Sequence, residues 1–235
     1  MKHEASSAVQ RLAERYGLDT HQSTQLTALL RCLASDEQAP TTVREPEQAV
    51  DVHLADSLVA LELEPVRAAA RITDIGAGAG FPGLPLAVAL PASQIKLVES
   101  QARKCSFIEG VTAAAGLENA EAVCARVEEW PEGIGVQDLV LARALAPQPI
   151  VLEYAAPLLR LGGALVDWRG QRNSEEERRA IGAADQLGLV RESIRRVEPF
   201  EGVRDHHLHV YLKTRETPDR FPRRSGMARK KPLVP

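Results

Sequence analysis

The feature that most constrains the fold is a glycine-rich loop between two apolar segments. In the stretch RITDIGAGAGFPGLPLAVALP, residues 71–91, glycines occupy positions 76, 78, 80 and 83. The residues before the loop are typical of a buried strand, and those after it of a buried helix. In open α/β sheets the loop after the first strand is the usual place for a ligand. We therefore expect an α/β domain whose ligand site lies at this loop.

The rest of the chain keeps this alternation of strand and helix. Helical stretches are predicted at about 82–90, 101–116, 149–160 and 174–188, and the strand-like runs are RITDIG, QIKLVES, AEAVCAR, DLVLAR, GALVDWR, LVRESIRRVEP and HHLHVYLKT. This alternation predicts a mostly parallel, doubly wound sheet. The last two runs have no helix between them, which indicates an antiparallel pair at one edge.

The N-terminal part of the chain carries helical signals instead. Apolar residues recur at helical spacing in SSAVQRLAERYG and in DTHQSTQLTALLRCLA, where Asp19 and Thr20 are possible N-caps. A third helix is predicted over EPEQAVDVHLADSLVALE, with Pro46 at its start. We therefore predict a helical N-terminal cap over 1–65, an α/β domain over 66–213 and a basic C-terminal tail over 214–235.

Composition limits the class of protein. Of 235 residues, 44% are hydrophobic and 26% charged, as in ordinary soluble globular proteins. We found neither an apolar run of about 18 residues that could span a bilayer nor a secretory signal at the N-terminus, so a cytoplasmic location is expected. Cys32, Cys105 and Cys124 form no CxxC motif, and Cys105 and Cys124 are expected to be buried. His207 and His209 share one face of a strand but have no evident third ligand, so we predict no metal site.

The C-terminal tail differs from the rest of the chain in charge. The net charge is −3, yet from Lys213 to the end eight basic residues face two acidic ones. A basic segment interrupted by prolines can act as an arm that contacts a polyanion. The simpler interpretation is a solvated terminus. From charge alone, the solvated terminus is the favoured interpretation.

Two cofactors compete for the glycine loop. Gly78, Gly80 and Gly83 match the GxGxxG pattern of dinucleotide-binding proteins. Alternatively, Asp74 followed by glycines at 76, 78 and 80 matches the acidic-x-GxGxG loop of class I methyltransferases. An acidic side chain at the loop would repel a pyrophosphate and attract the cationic groups of S-adenosylmethionine. Glu99 closes the second strand, where a carboxylate can accept hydrogen bonds from ribose hydroxyls. The two acids favour the methyltransferase.

A longer series of motifs resembles one family. In order they are VHLADSL (52–58), TDIGAGAGFPGLPLAVALP (73–91), LVESQARKCSFI (97–108), ARVEEW (125–130), LARALAP (141–147), LLRLGGALVDWRGQ (158–171) and TPDRFPRRSGMARKKPL (217–233). Together they resemble the bacterial RsmG family, once called glucose-inhibited division protein B. The chain departs from the family pattern at Ala39, where asparagine is expected, and at Arg169, where lysine is usual. Both departures lie toward the presumed RNA side.

The resemblance implies a fold, a reaction and a set of site residues. The fold is a class I S-adenosylmethionine-dependent methyltransferase, an α/β Rossmann-like sheet with a helical N-terminal extension. The reaction is methylation at N7 of guanosine 527, in the 530 loop of 16S rRNA, on the 30S subunit or its assembly intermediate. The family's cofactor contacts fall on Gly76, Phe81, Val127, Glu128 and Arg143. The reasoning from the loop itself adds cofactor contacts for Asp74, Gly78, Gly80 and Glu99.

Methyl transfer to guanine N7 requires positioning of the base and the methyl group more than it requires a reactive side chain. Guanine N7 has an exposed lone pair, so we predict no nucleophile, no general base and no metal, and expect the rate to come from alignment. Candidates that would hold the guanine or its phosphates are Arg143, Arg169, His53 and the basic tail. Arg143 could instead pair with a carboxylate, and His53 with Asp56 could be an exposed structural pair. Trp130 and Trp168 are expected to be packing residues.

Three functions from different classes therefore stay open at this point. The first is an rRNA guanine-N7 methyltransferase. The second is an NAD-dependent oxidoreductase that uses Gly78, Gly80 and Gly83. The third is a non-enzymatic RNA-binding or assembly protein with a vestigial pocket. The preference for the first rests on the two acids and on the order of the motifs.

Overall fold

The structure, a computed structural model, describes residues 3–37 and 39–233. In this part of the chain seven strands form one sheet of order β3-β2-β1-β4-β5-β7-β6. Strands β1 to β5 pair in parallel, and β7 runs antiparallel between β5 and β6. The strands are β1 (Arg71–Ile75), β2 (Gln94–Glu99), β3 (Ala120–Cys124), β4 (Gln137–Arg143), β5 (Leu159–Arg169), β6 (Leu189–Arg196) and β7 (His207–Lys213). The parallel sheet with an antiparallel edge is confirmed.

Helices cover both faces of this sheet. They are α1 (His3–Arg15), α2 (Thr20–Ser35), α3 (Pro46–Ala49), α4 (Asp56–Leu58), α5 (Glu64–Ala68), α6 (Gly83–Ala89), α7 (Ala102–Ala115), α8 (Gln148–Ala155), α9 (Ser174–Leu187) and α10 (Met227–Lys230). The helix predicted over 149–160 was wrong at its C-terminal end, since α8 stops at Ala155 and Leu159 already pairs with Gln137 of β4. An apolar run of this kind does not distinguish a buried helix from a buried strand.

Local signals set the starts of the N-terminal helices. Asp19 caps α2 through a capping box with Gln22, and Pro46 occupies the first turn of α3. The helix predicted over 45–62 is interrupted, because a π-helical turn, Val50–Ala55, lies between α3 and α4 and a 3-10 turn, Val59–Glu62, follows α4. Single π turns within helices are frequent at functional sites.

The core divides between the two faces of the sheet. Adjacent residues of one strand point to opposite faces, so Leu139 belongs to one apolar cluster and Val140 to the other. The first cluster includes Leu26 and Leu29 of α2, so the N-terminal helices share a core with the sheet. The second cluster includes Phe221 from the C-terminal tail. The domain limits inferred from sequence stay predictions.

The basic tail packs against the domain over its described part, 214–233. Phe221 is 7% exposed and Ala228 2% exposed. The Arg223 guanidinium donates through Nε and Nη2 to both oxygens of Glu153, each at 2.5 Å. Because Glu153 is only 3% exposed, this ion pair is buried at one end. Residues 214–233 are therefore a docked segment with a basic outer surface.

Other expectations about buried groups have mixed outcomes. Trp130, Trp168 and Cys105 are buried as predicted, but Cys124 is exposed. Cys124 ends β3, which is the edge strand of the sheet, so one side of it has no neighbouring strand to cover it. Within the described residues no group of three metal-binding side chains occurs. None of the helices there has the length and apolar character needed to cross a bilayer.

Candidate active site

A cavity of about 300 Å³ lies at the carboxyl ends of β1 to β4. This is the edge at which open α/β sheets bind ligands. Of the nine residues predicted to contact a cofactor, Gly76, Glu99, Val127 and Glu128 line this cavity, and its other lining residues are Val98, Ser100, Gln101, Lys104, Ala125, Arg126, Ala144, Leu145, Tyr154 and Arg229. We call it the cofactor cavity.

The glycine loop forms one wall of the cofactor cavity with its backbone. Gly76, Gly78 and Gly80 have φ values of 69°, 59° and 91°, in the left-handed region that favours glycine. A Cβ on Gly76 would lie 2.4 Å from Leu145 Cδ1, and one on Gly80 would lie 2.3 Å from Leu84 Cδ1. Gly78 and Gly80 therefore hold the turn, while Gly76 also lines the cavity.

Glu99 is oriented by the backbone around it. One oxygen accepts the N–H groups of Ser100 and Gln101 at 2.8 and 3.0 Å, and the other accepts the Gly78 N–H at 3.2 Å. Lys104 Nζ lies 3.8 Å away. The carboxylate is thus fixed at the end of β2, at the position where it can accept hydrogen bonds from ligand hydroxyls. A backbone cradle and a fixed carboxylate fit the nucleoside part of S-adenosylmethionine.

Asp74 has a different place from the one inferred from sequence. Its carboxylate is 1% exposed and accepts the Gly83 N–H at 2.8 Å, at the N-terminus of α6. Burial raises the pKa of Asp74 to about 7, although the Gly83 N–H and the positive charge of Arg143 act in the opposite direction. Asp74 does not line the cofactor cavity. It lies behind the loop rather than at its mouth, and there it ties β1 to the start of α6.

The docked tail closes another side of the cofactor cavity. Arg229 lines the cavity, and its guanidinium donates to the Leu145 carbonyl at 3.1 Å. The Gly226 N–H donates to Glu128 Oε1 at 2.9 Å. The sequence indicated that the tail is basic, but it did not predict that Arg229 and Tyr154 line the cofactor cavity. Nothing local in the sequence states which surface the tail covers.

A second, more open cavity of about 600 Å³ adjoins the first. Ala144, which has a positive φ of 54°, lines both cavities. The second cavity is lined by Val52, Asp56, Arg143, Ala144, Trp168, Arg169, Gly170, Gln171, Phe200 and His206. We call it the acceptor cavity, because a substrate held there would lie beside the cofactor cavity.

Arg143 and Arg169 both line the acceptor cavity rather than the cofactor cavity. Arg143 Nη1 donates to Asp56 Oδ2 at 2.8 Å and to the Val52 carbonyl at 3.0 Å. The structure thus shows the alternative considered for Arg143, pairing with a carboxylate. Arg169 donates to the Ala146 carbonyl at 2.9 Å and forms an ion pair with Glu176. Both predicted RNA-contacting arginines are thus held in place by the protein.

His53 and Phe81 line neither cavity. Their rings stack at a centroid distance of 4.6 Å, and both residues are 6% exposed. His53 Nε2 lies 3.0 Å from the Val43 carbonyl oxygen, and burial lowers the pKa of His53. The suggested exposed pair of His53 with Asp56 is wrong, because Asp56 is also buried. The stacked rings instead pack the glycine loop, through Phe81, against the helical segment that carries His53.

Comparison with solved structures confirms the predicted class I methyltransferase fold. The [4+2]-cyclase SpnF aligns with a TM-score of 0.58 at 16% identity, covering 83% of this chain and 96% of that one. A methyltransferase from Aquifex aeolicus described as SAM-dependent has a TM-score of 0.54 at 14% identity, covering 71% of this chain and 93% of that one. Aeropyrum pernix fibrillarin, with natively bound S-adenosylmethionine, has a TM-score of 0.54 at 20% identity, covering 67% and 73%. At these identities the likeness shows the fold.

Sequence relatives show the family. The GidB family model, rRNA small subunit methyltransferase G, matches residues 22–201. Proteins named ribosomal RNA small subunit methyltransferase G match at 38% identity in Rubrobacter xylanophilus, covering 81% of this chain and 75% of the relative, and at 39% in Pelotomaculum thermopropionicum, covering 80% of each. These findings confirm S-adenosylmethionine as the cofactor and set aside the dinucleotide oxidoreductase. The chain belongs to the rRNA small subunit methyltransferase G family.

Proposed function

We propose that this chain transfers the methyl group of S-adenosylmethionine to N7 of guanosine 527, in the 530 loop of 16S rRNA. The observation that carries the proposal is the pair of adjoining cavities, which meet at Ala144. One has the backbone cradle and fixed carboxylate of a nucleoside site, and the other is open and lined by arginines. A methyl donor and a base placed in them would face each other across Ala144.

The cofactor cavity supplies the contacts that S-adenosylmethionine needs. Glu99 would accept hydrogen bonds from the ribose hydroxyls, and Gly76 would allow close approach of the backbone. Val127 and Glu128, after β3, would wall the adenine. S-Adenosylmethionine brings a methyl group on a positively charged sulfur, and no protein side chain has to carry that group.

The acceptor cavity has to position the base rather than activate it. Guanine N7 is already a nucleophile, so holding its lone pair in line with the methyl group accounts for much of the acceleration. The positive charge that moves into the imidazole ring is stabilised by fixed dipoles and carboxylates nearby. Asp56, whose side chain is 10% exposed, is the described carboxylate that lines the acceptor cavity. This arrangement supports a reaction without a protein nucleophile.

RNA recognition falls to the surface around the acceptor cavity. A base inside a helix or stack has to leave it before it can enter a cavity. Arg169 lines the cavity and can contact the RNA, while the outer surface of the docked tail adds positive charge on the cofactor side. We infer that the acceptor is the small-subunit rRNA, either free or within the 30S subunit or its assembly intermediate.

Labelled methyl transfer tests the proposal directly. The full chain is incubated with labelled S-adenosylmethionine and with free 16S rRNA or 30S subunits that lack the modification, and 7-methylguanosine is mapped by borohydride and aniline cleavage. One cleavage at position 527 is the expected result, and the better of the two substrates identifies the acceptor particle. Label at another nucleotide, or cofactor binding without any transfer, would overturn the proposal.

A further inference from the structure

The acceptor cavity contains a buried carboxylate, one oxygen of which has no hydrogen-bond donor. Asp56 is 7% exposed, and its Oδ2 accepts the Arg143 Nη1 hydrogen at 2.8 Å. Its Oδ1 is buried and has no hydrogen-bond partner. His206 Nδ1, also without a partner, is 3.9 Å away, beyond hydrogen-bond distance. An anionic oxygen in this position lacks a donor.

The position of this oxygen is well determined. The Trp168 indole N–H donates to the Asp56 backbone carbonyl at 2.8 Å, and this contact joins α4 to β5. Arg143, which holds the other oxygen, is itself tied to the Val52 carbonyl. Burying an acceptor without a donor is unfavourable, and more so when the acceptor is charged. Such a group in a native fold calls for an explanation, and a bound ligand that supplies the donor is one.

The side chains beside the orphan oxygen suggest which donor. Arg143 uses Nη1 to bond Oδ2 of Asp56 and the Val52 carbonyl, and its guanidinium carries further N–H donors. The two side chains therefore offer a base both donors, on Arg143, and an acceptor, Oδ1 of Asp56. Guanine carries the complementary pair on one edge, the acceptor O6 next to the donor N1–H. Adenine carries the reverse, a donor amino group next to the acceptor N1. The pair therefore matches guanine and opposes adenine.

We propose that Asp56 and Arg143 read this edge of the target guanine, with O6 on Arg143 and N1–H on Asp56 Oδ1. The inference rests on the proposed function, because it assumes that guanine is the acceptor base. O6 and N7 are neighbours on the base, so the Arg143 contact leaves N7 close to Ala144, where the two cavities meet. Asp56 is in this account a specificity-determining residue rather than a structural support for Arg143.

Base analogues at the target position test the contact in the unmodified protein. The full chain is assayed on 16S rRNA assembled into 30S subunits, with guanosine, inosine or 1-methylguanosine at the acceptor nucleotide. Inosine keeps O6 and N1–H and is expected to react nearly as well as guanosine. 1-Methylguanosine lacks the N1–H, and its kcat/KM is expected to fall at least about tenfold. Equal rates on guanosine and 1-methylguanosine would overturn the role of Asp56.

The variant Asp56→Asn then tests whether Asp56 causes the discrimination. Its kcat/KM on guanosine is expected to fall by about tenfold or more, and the additional penalty for 1-methylguanosine is expected to disappear. A purely structural role would lower both rates alike and leave the penalty intact, which would contradict the inference. The matched control is Glu62→Gln, which replaces a surface carboxylate that pairs with Arg195 by an amide.

The same experiment separates this inference from the proposed function. If the unmodified protein does not methylate guanosine 527, the proposed function fails and the inference fails with it. If it methylates guanosine 527 and tolerates 1-methylguanosine, only the inference fails. Affinity for S-adenosylhomocysteine should be unchanged in Asp56→Asn, because Asp56 does not line the cofactor cavity. If the variant does not fold, the base-analogue result on the unmodified protein still decides.

Discussion

The cofactor cavity and the acceptor cavity are neighbours that are built in different ways. The cofactor cavity is formed largely by the ends of adjacent strands and by backbone, with Gly76 and the N–H groups around Glu99 as its main features. The acceptor cavity is formed by side chains from separate segments, such as Asp56 of α4, Arg143 of β4 and His206 before β7. The cofactor cavity depends mainly on strand ends, with the docked tail closing one side, whereas the acceptor cavity depends more on how the helical segment of Asp56 and the segment of His206 pack against the strand ends.

The two cavities also differ in how completely their carboxylates are bonded. Both oxygens of Glu99 accept backbone N–H groups, whereas one oxygen of Asp56 has no hydrogen-bond partner. A carboxylate held by backbone is preorganised for a ligand that binds the same way each time. A carboxylate with an unused acceptor is suited to discriminate between ligands. On the proposals made above, the cofactor cavity binds its ligand in one fixed way, and the acceptor cavity selects among bases.

The largest expected effect tests whether the tail is an integral wall of the cofactor cavity. In Arg223→Ala the carboxylate of Glu153, 3% exposed, would lose both hydrogen bonds from the guanidinium. Stranding a buried charge costs about 3–5 kcal/mol, so the free energy of unfolding should fall by that order. Denaturant unfolding measures the loss, and calorimetric titration with S-adenosylhomocysteine should show weaker binding.

The exposed pair of Arg179 with Glu175 on α9 provides the control for Arg223→Ala. Both of its side chains are 58% exposed, so Arg179→Ala should cost at most about 0.5 kcal/mol. Similar losses in the two variants would show that the tail is not held by its buried ion pair.

The next effect concerns the carboxylate behind the cofactor loop and its dependence on pH. The pKa of Asp74 is raised from 3.8 to about 7, so its contribution to stability is present at low pH and is lost as pH rises toward 7. Asp74→Asn should therefore be more stable than the unmodified chain at pH 8, by about 2–4 kcal/mol, with the gap closing toward pH 4. Urea unfolding across this pH range measures the difference. Parallel curves for the two proteins would contradict the assignment.

A pair of glycine substitutions tests the backbone wall itself. Gly76 and Gly116 have similar φ values of 69° and 63°, so Gly→Ala at either position should cost about 1 kcal/mol of stability. A new Cβ at Gly76 also meets Leu145, whereas one at Gly116 has no atom within 4 Å. Gly76→Ala should therefore weaken S-adenosylhomocysteine binding about tenfold, and Gly116→Ala should leave it unchanged. If calorimetric titration gives Gly76→Ala and Gly116→Ala the same affinity for S-adenosylhomocysteine, the wall at Gly76 tolerates a side chain.

The smallest effect separates the inner from the outer surface of the tail. Arg229 lines the cofactor cavity, and its neighbour Lys230 is exposed on the same short helix. Arg229→Ala should weaken S-adenosylhomocysteine binding about three- to fivefold, which corresponds to less than about 1 kcal/mol. Lys230→Ala should leave that affinity unchanged and lower only the salt dependence of RNA binding. If Lys230→Ala weakened S-adenosylhomocysteine binding and Arg229→Ala did not, the cation that affects cofactor binding would lie on the outer surface of the tail.

Much of the fold was predictable because its signals are local. The alternation of apolar segments placed β1, β2, β6 and β7 close to their observed ends, and Asp19 and Pro46 mark helix starts. The end of α8 was not predictable, since apolar residues after Ala155 suit a helix or a strand equally. The exposure of Cys124 was missed because it depends on the position of β3 at the sheet edge.

The candidate site divides in the same way. The strand ends, the glycine loop and the acid that closes β2 could be predicted from the sequence, because backbone conformation and strand periodicity depend on residues close together in the chain. Tertiary packing places Asp74 behind the loop, brings Arg229 to the cofactor cavity and leaves one Asp56 oxygen beside Arg143 without a hydrogen-bond partner. The Arg229 and Asp56 contacts join segments far apart in sequence, and the Asp74 contact with Gly83 forms only after the loop between them has turned back. Packing selects such contacts from many pairings that charge and polarity alone allow.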